Sequence, residues 1–212
     1  ALTPIAATRR PRWKPPSAWS RPRTEARAGD SVPEKVLVIA CGAIARELVR
    51  IKRLNRWEHI DFQCLPPELH NQPQRIPAAV MEQIESAAGS YNQVFVGYAD
   101  CGTGGMLDRA LDGSGVERIP GAHCYEFFAG SDVFHELAHE EPGSFYLTDF
   151  LVRHFDRLVW KGLGLDQQPE LSSLYFGNYR RVVYIAQTES PELREMATEQ
   201  AARLGLAFEY RF

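Results

Sequence analysis

The sequence predicts an α/β fold: an open, mostly parallel, doubly wound sheet with helices on both faces. Two observations lead to this prediction. Strand-like and helix-like segments alternate along the chain, and the strand-like runs at 35–41 and 93–99 are apolar from their second residue onward. Continuous apolar runs of this length are typical of strands covered on both faces, as in a parallel sheet. In such sheets, ligands bind outside the carboxyl ends of the strands.

The predicted elements follow one another in a simple order. After the first strand, Gly42 breaks the apolar run, and Ile44, Leu48 and Ile51 then recur at helical spacing. The adjacent prolines Pro66 and Pro67 predict an irregular segment after the second strand. The predicted strands are 35–41, 59–64, 93–99, 116–120, 181–187 and a last one near 206–212; the predicted helices are 43–54, 76–88, 106–111, part of 127–139, 148–161 and 191–204.

Residues 1–33 differ in composition from the rest of the chain. They hold seven of the 24 Lys and Arg residues, only two acidic residues and six of the 14 prolines. A Pro- and Arg-rich segment with few aliphatic residues buries too little surface to offset its ordering entropy. We therefore predict a disordered, basic tail over 1–33 and a single α/β domain over 34–212.

Composition also limits the classes of protein to which this chain can belong. No apolar run approaches the roughly 18 residues that a membrane-spanning helix needs. Four cysteines in 212 residues are too few for a disulfide scaffold, and no signal-peptide pattern is present. We expect a protein of the reducing cytoplasm that binds a small-molecule ligand, with neither membrane nor nucleic acid as a partner.

The four cysteines each close a short apolar, strand-like run: Cys41, Cys64, Cys101 and Cys124. The carboxyl ends of parallel strands lie on one edge of the sheet, and neighbouring strands are about 4.8 Å apart. We expect Cys41, Cys101 and Cys124 to converge there and, with His123, to bind zinc or an iron–sulfur cluster, assisted by Glu126. Cys64 is followed by Leu-Pro-Pro and fits inert packing better.

Cys101 has a second interpretation, as the nucleophile of a metal-free thiol enzyme. A turn just before a helix lowers the pKa of a thiol. His123 would then be the general base, with Asp100 or Glu126 orienting it.

The glycine-rich turn after Cys101 has its own candidate role. Gly102, Thr103, Gly104 and Gly105 could direct successive N–H groups at an anion or a cofactor, because a helix begins just after them. The turn matches neither the dinucleotide-binding nor the phosphate-loop pattern, and a tight turn between strand and helix explains the glycines equally.

The string His135-Glu-Leu-Ala-His139 matches the zinc-protease pattern HExxH. Pro142 follows it closely, and a metalloprotease needs a longer helix and a distant third ligand. The α/β context favours a solvated helix face instead.

Four segments together carry a family resemblance: Tyr98-Ala-Asp-Cys-Gly-Thr-Gly-Gly105, Gly121-Ala-His-Cys-Tyr-Glu-Phe127, Phe145-Tyr-Leu-Thr-Asp149 and Tyr175-Phe-Gly-Asn-Tyr179. They resemble the DUF1638 family, from about Val36 to the C-terminus. That family has no settled activity, so the resemblance leaves open whether this protein is an enzyme. Its members are often encoded beside corrinoid-dependent methyltransferases and their activators.

The resemblance implies a part in one-carbon or corrinoid metabolism. Together with the cysteine site, it leads us to expect a metal- or metal-cofactor-binding protein that acts in or alongside corrinoid-dependent, one-carbon methyl transfer. It implies a corrinoid protein or a methyltransferase as partner, and a corrinoid as a further candidate cofactor. A third alternative is a non-catalytic accessory protein whose glycine turn holds a corrinoid or another anion.

Overall fold

The computed structural model describes residues 34–212, and the tail predicted over 1–33 lies outside the described residues. The strands are Val36–Cys41 (β1), Ile60–Leu65 (β2), Gln93–Gly97 (β3), Glu117–Arg118 (β4), Ser144–Thr148 (β5), Arg181–Ile185 (β6) and Ala207–Arg211 (β7). The α-helices are Ala45–Asn55 (α1), Ile76–Ser86 (α2), Met106–Leu111 (α3), Glu126–Ala129 (α4), Ser131–Glu140 (α5), Asp149–Arg153 (α6), Leu171–Phe176 (α7) and Pro191–Leu204 (α8).

The predicted α/β class with parallel strands is confirmed, but the strands of residues 34–212 are divided between two sheets. The first has the order β2-β1-β3-β4 and the second the order β5-β6-β7, and every pair is parallel. All six residues of β1 are buried, as its central position and its continuous apolar run require.

The first sheet sets the positions of the cysteines. Val36 of β1 pairs with Ile60 of β2 and with Gln93 of β3, so the three strands run in step and end on one edge. Gly97 in β3 lies so close to β1 that an added Cβ would sit 2.9 Å from the Cβ of Ala40. Close packing of the two strands therefore requires glycine there.

The second sheet begins with a strand that the sequence did not predict. β5, at Ser144–Thr148, is absent from the predicted strands, because its five residues lack a clear alternation of apolar and polar side chains. The predicted helix over 148–161 is in fact α6 followed by a π-helical turn at Asp156–Trp160. Thr148 caps the start of α6, where its hydroxyl accepts a hydrogen bond from Leu151 N–H at 3.3 Å.

A buried carboxylate joins the ends of β5 and β6. Asp149 accepts hydrogen bonds from the Tyr184 hydroxyl at 2.7 Å, from Gln187 N–H at 2.9 Å and from the Thr188 hydroxyl at 2.5 Å. A buried carboxyl group with this many hydrogen-bond donors is stabilised in place. The network fixes the start of α6 against the second sheet.

Short helical turns connect the two sheets. Pro67–Asn71 forms a 3₁₀ turn that contacts the π-helical turn at Asp156–Trp160. The Asn71 amide donates to the carbonyl of Leu158 at 2.9 Å, and Arg157 forms an ion pair with Glu68. The segment predicted to be irregular therefore has a defined conformation, held by both halves of the molecule.

Over residues 34–212, each helix is too short or too polar to cross a lipid bilayer.

Candidate metal centre

Three side chains from distant parts of the sequence meet at the carboxyl edge of the first sheet. A ring nitrogen of His70 and the sulfur atoms of Cys101 and Cys124 all lie within 4.8 Å of one another. Zinc–sulfur bonds of about 2.3 Å place tetrahedral ligands about 4 Å apart, so a small contraction would close this group around one ion. We refer to the three residues as the His70–Cys101–Cys124 cluster.

Cys101 reaches the cluster through an unfavourable backbone conformation. Its φ is 49°, in the left-handed region that side chains with a Cβ rarely adopt. Its N–H donates to the carbonyl of Ala122 at 2.8 Å, which ties it to the loop that carries Cys124. Strain at a buried cysteine is a signal of function, because a glycine would adopt this φ at lower energy.

Asp100 holds this turn in place. Its carboxylate accepts from the Thr103 hydroxyl and from Gly105 N–H, each at 2.7 Å, and from Gly104 N–H at 3.0 Å. Partial burial raises the pKa of Asp100, but these hydrogen bonds outweigh it and lower the pKa overall. The turn is therefore built around a carboxylate of its own.

His70 is oriented by its surroundings. Its Nδ1 lies 3.2 Å from the carbonyl oxygen of Pro67, which can only accept, so Nδ1 donates. Its Nε2 is buried and has no hydrogen-bond partner. The ring also stacks on Tyr98, with centroids 5.9 Å apart. A backbone carbonyl on one nitrogen is the usual arrangement that leaves the other nitrogen for a metal.

The cluster has an uneven charge distribution. A hydrogen bond from the Cys124 thiol lowers the pKa of Cys101. Burial acts in the opposite direction, but His70 lowers the pKa further, to about 5. The same hydrogen bond and burial raise the pKa of Cys124 well above its usual value. Burial would lower the pKa of His70, but its contacts with Cys101 and Cys41 raise it to about 10. Without a metal, a Cys101 thiolate therefore pairs with a His70 imidazolium.

The other two cysteines differ from each other. Cys41 is buried at the end of β1, with its sulfur 3.8 Å from Nδ1 of His70 and 3.3 Å from Ala43 N, so it lies beside the cluster. Cys64 is exposed on β2, which is an edge strand. Cys64 lies outside the cluster, but its exposed position does not fit the predicted role as a packing residue.

Two predicted site residues lie elsewhere. His123 is exposed, and its ring contacts Tyr125 and Phe134 rather than joining the cluster. Glu126 accepts from Ala122 N–H at 2.9 Å and from the Ser131 hydroxyl at 3.2 Å, so its carboxylate holds the loop. The histidine of the cluster is His70, which the sequence did not single out.

The predicted anion cradle is partly occupied. N–H groups of Gly104 and Gly105, which an anion would need, already donate to Asp100, and the Thr103 hydroxyl does the same. Gly102, with a φ of 82°, lines the cavity described next. These contacts favour the simpler interpretation of Gly102, Thr103, Gly104 and Gly105 as a tight turn.

The cluster opens into a cavity of about 670 Å³. His70, Cys101 and Cys124 all contribute to its wall, which continues with residues of α5, β5 and α6 from the second half of the molecule. His123 and His135 line it as well, whereas Cys41 does not. A molecule in this cavity would reach the open side of an ion bound by the cluster.

The zinc-protease string does not form a metal centre. His135 and His139 are both exposed on α5. Among the described residues, the groups of three or more potential ligands consist of the cluster alone. This agrees with the expectation of a solvated helix face.

Parallel sheets with helices, and a group of two thiols and one imidazole at the carboxyl edge of the first sheet, place the protein in the α/β class. Within that class, the chain belongs to the DUF1638 family, described as a protein family of unknown function, whose model matches residues 64–212. The match includes three members of the site, His70, Cys101 and Cys124, and begins after Cys41. No curated protein and no solved structure matches the chain.

The strain at Cys101 gives a stability prediction. Because φ is 49° there, Cys101→Gly should be more stable than Cys101→Ala by about 1 kcal/mol in the free energy of unfolding, measured in urea on metal-free protein. At Cys124, whose φ is not positive, the order should be reversed by about 0.5 kcal/mol. If the same variant, glycine or alanine, were the more stable at both positions, the claim of backbone strain at Cys101 would be wrong.

Proposed function

We propose that this protein binds one zinc ion, or a similar transition metal, through His70, Cys101 and Cys124, and that the ion binds and activates a small molecule in the cavity. The observation that carries the proposal is the group itself: a ring nitrogen of His70 and the sulfur atoms of Cys101 and Cys124 lie within 4.8 Å of one another in the wall of a cavity. Thiolate sulfur and imidazole nitrogen at this spacing are ligands that suit zinc.

The number of ligands supports a catalytic type of centre over a structural one. Structural zinc sites use four protein ligands, whereas catalytic sites use three and leave one position open. The three residues of the cluster all line the cavity, and the nearby Cys41 does not. An ion here would have its open position on the cavity side.

Ligand type supports zinc over an iron–sulfur cluster. Iron–sulfur clusters are usually held by four thiolates. The described group has two thiols and one imidazole, which is a ligand set that suits a single zinc ion. As a Lewis acid, zinc holds a bound water or thiol in its deprotonated, nucleophilic form near neutral pH.

A role in methyl transfer is the broader part of the proposal. It is supported by the resemblance to the DUF1638 family, whose members are often encoded beside corrinoid-dependent methyltransferases. We propose that the protein works in the cytoplasm, where thiols stay reduced, and supplies or accepts the small molecule of such a reaction. A corrinoid protein or a methyltransferase would be its partner.

Metal content tests the proposal directly. Protein purified without oxygen should carry about one equivalent of zinc, measured by elemental analysis. His70→Ala and Cys124→Ser should each lower metal affinity at least about tenfold, because each removes one of three ligands. Cys64→Ser and His123→Ala are the matched controls and should keep the metal, as should Cys41→Ser.

Two outcomes would contradict the proposal. One is less than about a tenth of an equivalent of any transition metal in the parent protein. The other is loss of metal in His123→Ala with retention in His70→Ala.

A metal-free thiol enzyme is the second candidate, and the low pKa of Cys101 favours it. Its charge partner would be His70 rather than His123, since His70 is grouped with Cys101 and raises the fraction of thiolate. A thiolate beside an imidazolium is the arrangement of a nucleophilic cysteine.

The pH dependence of alkylation tests this second candidate. In metal-free protein, the rate at which iodoacetamide modifies Cys101 should be half-maximal near pH 5, because the thiolate is the reactive form. His70→Ala should move this midpoint upward, and His123→Ala should leave it unchanged. A midpoint near 8.5, the usual value for cysteine, would rule the candidate out.

A further inference from the structure

The wall of the 670 Å³ cavity differs from the rest of the chain in its content of charged side chains. Among the described residues, no Asp, Glu, Lys or Arg lines it, although 24% of the chain is charged. Its polar members are neutral or are histidines and cysteines, and its remaining members are mostly aliphatic and aromatic. The volume falls in the range of sites that enclose a small organic molecule.

An aromatic cluster forms one part of the wall. The ring of Tyr146 lies 5.7 Å from that of Tyr125 and 5.0 Å from that of Phe134, between centroids. The rings are tilted against one another, by 34° and 42°. Such a group of aromatic rings offers dispersion contacts to an apolar body.

A charged ligand would find little compensation here. Moving a carboxylate, phosphate or ammonium group out of water costs several kcal/mol unless an opposite charge replaces the lost hydration. Zinc bound by two thiolates and one neutral imidazole has no net charge, so the centre itself does not supply that compensation.

We infer that the cavity takes an uncharged small molecule with an apolar body, which contacts the metal through one donor atom. The metal contact rests on the proposed function, whereas the choice of an uncharged body rests on the wall alone. The inference excludes phosphorylated and carboxylated substrates. It also places the phosphate-bearing tail of a corrinoid outside the cavity.

The binding of matched thiols to the cobalt-substituted protein tests this inference. The probes are 3-mercaptopropionamide, which is uncharged, 3-mercaptopropionate, which is an anion of nearly the same shape, and 2-aminoethanethiol, which is a cation. Each thiol loses its S–H proton to solvent as its sulfur bonds to cobalt, and the sulfur-to-cobalt absorption band reports binding. The uncharged thiol should bind at least about tenfold more tightly than either charged one.

A charge placed in the wall provides a second readout. Ala138 lines the cavity on α5 and is half-buried, so Ala138→Lys adds a cation without removing a ligand. It should improve the relative affinity for 3-mercaptopropionate about fivefold or more, and Ala138→Ser should not. Equal or tighter binding of a charged thiol to the parent protein would overturn the inference.

Cobalt uptake is recorded first, so that a failure to bind metal counts against the proposed function alone. In that case the charge preference is measured on metal-free protein, with benzyl alcohol, benzoate and benzylammonium as probes and NMR shifts of Phe134 and Tyr146 as the readout. Benzyl alcohol should perturb these residues at the lowest concentration. A lower concentration for benzoate or benzylammonium would overturn the inference by this route as well.

Discussion

The parallel, in-step pairing of β1 with β2 and β3 is the constraint on which the site depends. It brings the carboxyl ends of three strands to one edge, so that residues far apart in sequence need only short loops to meet. Cys41 lies at the end of β1, His70 follows β2 within a 3₁₀ turn, and Cys101 follows β3. Each strand of the core thus contributes one side chain to the same small region.

The loops fix the final positions of the side chains in the site. They do so through a strained backbone conformation and through several hydrogen bonds. Asp100 gathers three donors and stabilises a turn that holds Cys101 at a φ of 49°. Pro67 supplies the carbonyl that orients the His70 ring. The backbone conformation of Cys101 destabilises the loop, and the hydrogen bonds of Asp100 stabilise it. This combination is common around functional sites.

The proposed binding of zinc would be linked to the acid–base state of the metal-free site. The metal-free cluster holds a Cys101 thiolate beside a His70 imidazolium, while Cys124 keeps its proton. A metal must displace the protons of His70 and Cys124, so its apparent affinity should fall as the pH is lowered. The site is therefore partly prepared for a cation by the one thiolate that is already ionised.

Much of the fold and part of the site followed from the sequence. The continuous apolar run of β1 predicted a buried parallel strand, and the strand ends predicted the shared edge of Cys41, Cys101 and Cys124. His70 was missed because it lies in a proline-broken segment without ligand spacing; its place just after β2, at that same edge, was the available signal. His123 was chosen because it precedes Cys124 in sequence, but successive side chains in a loop need not point the same way.

X-ray absorption at the zinc edge tests the central claim most directly, because it reports the ligand atoms themselves. Zinc-loaded protein should show two sulfur atoms at about 2.3 Å, one imidazole nitrogen at about 2.0 Å and a fourth light atom from solvent. Addition of a thiol that enters the cavity should raise the sulfur count to three. A shell of oxygen and nitrogen alone, or of four sulfur atoms before any thiol is added, would contradict the account.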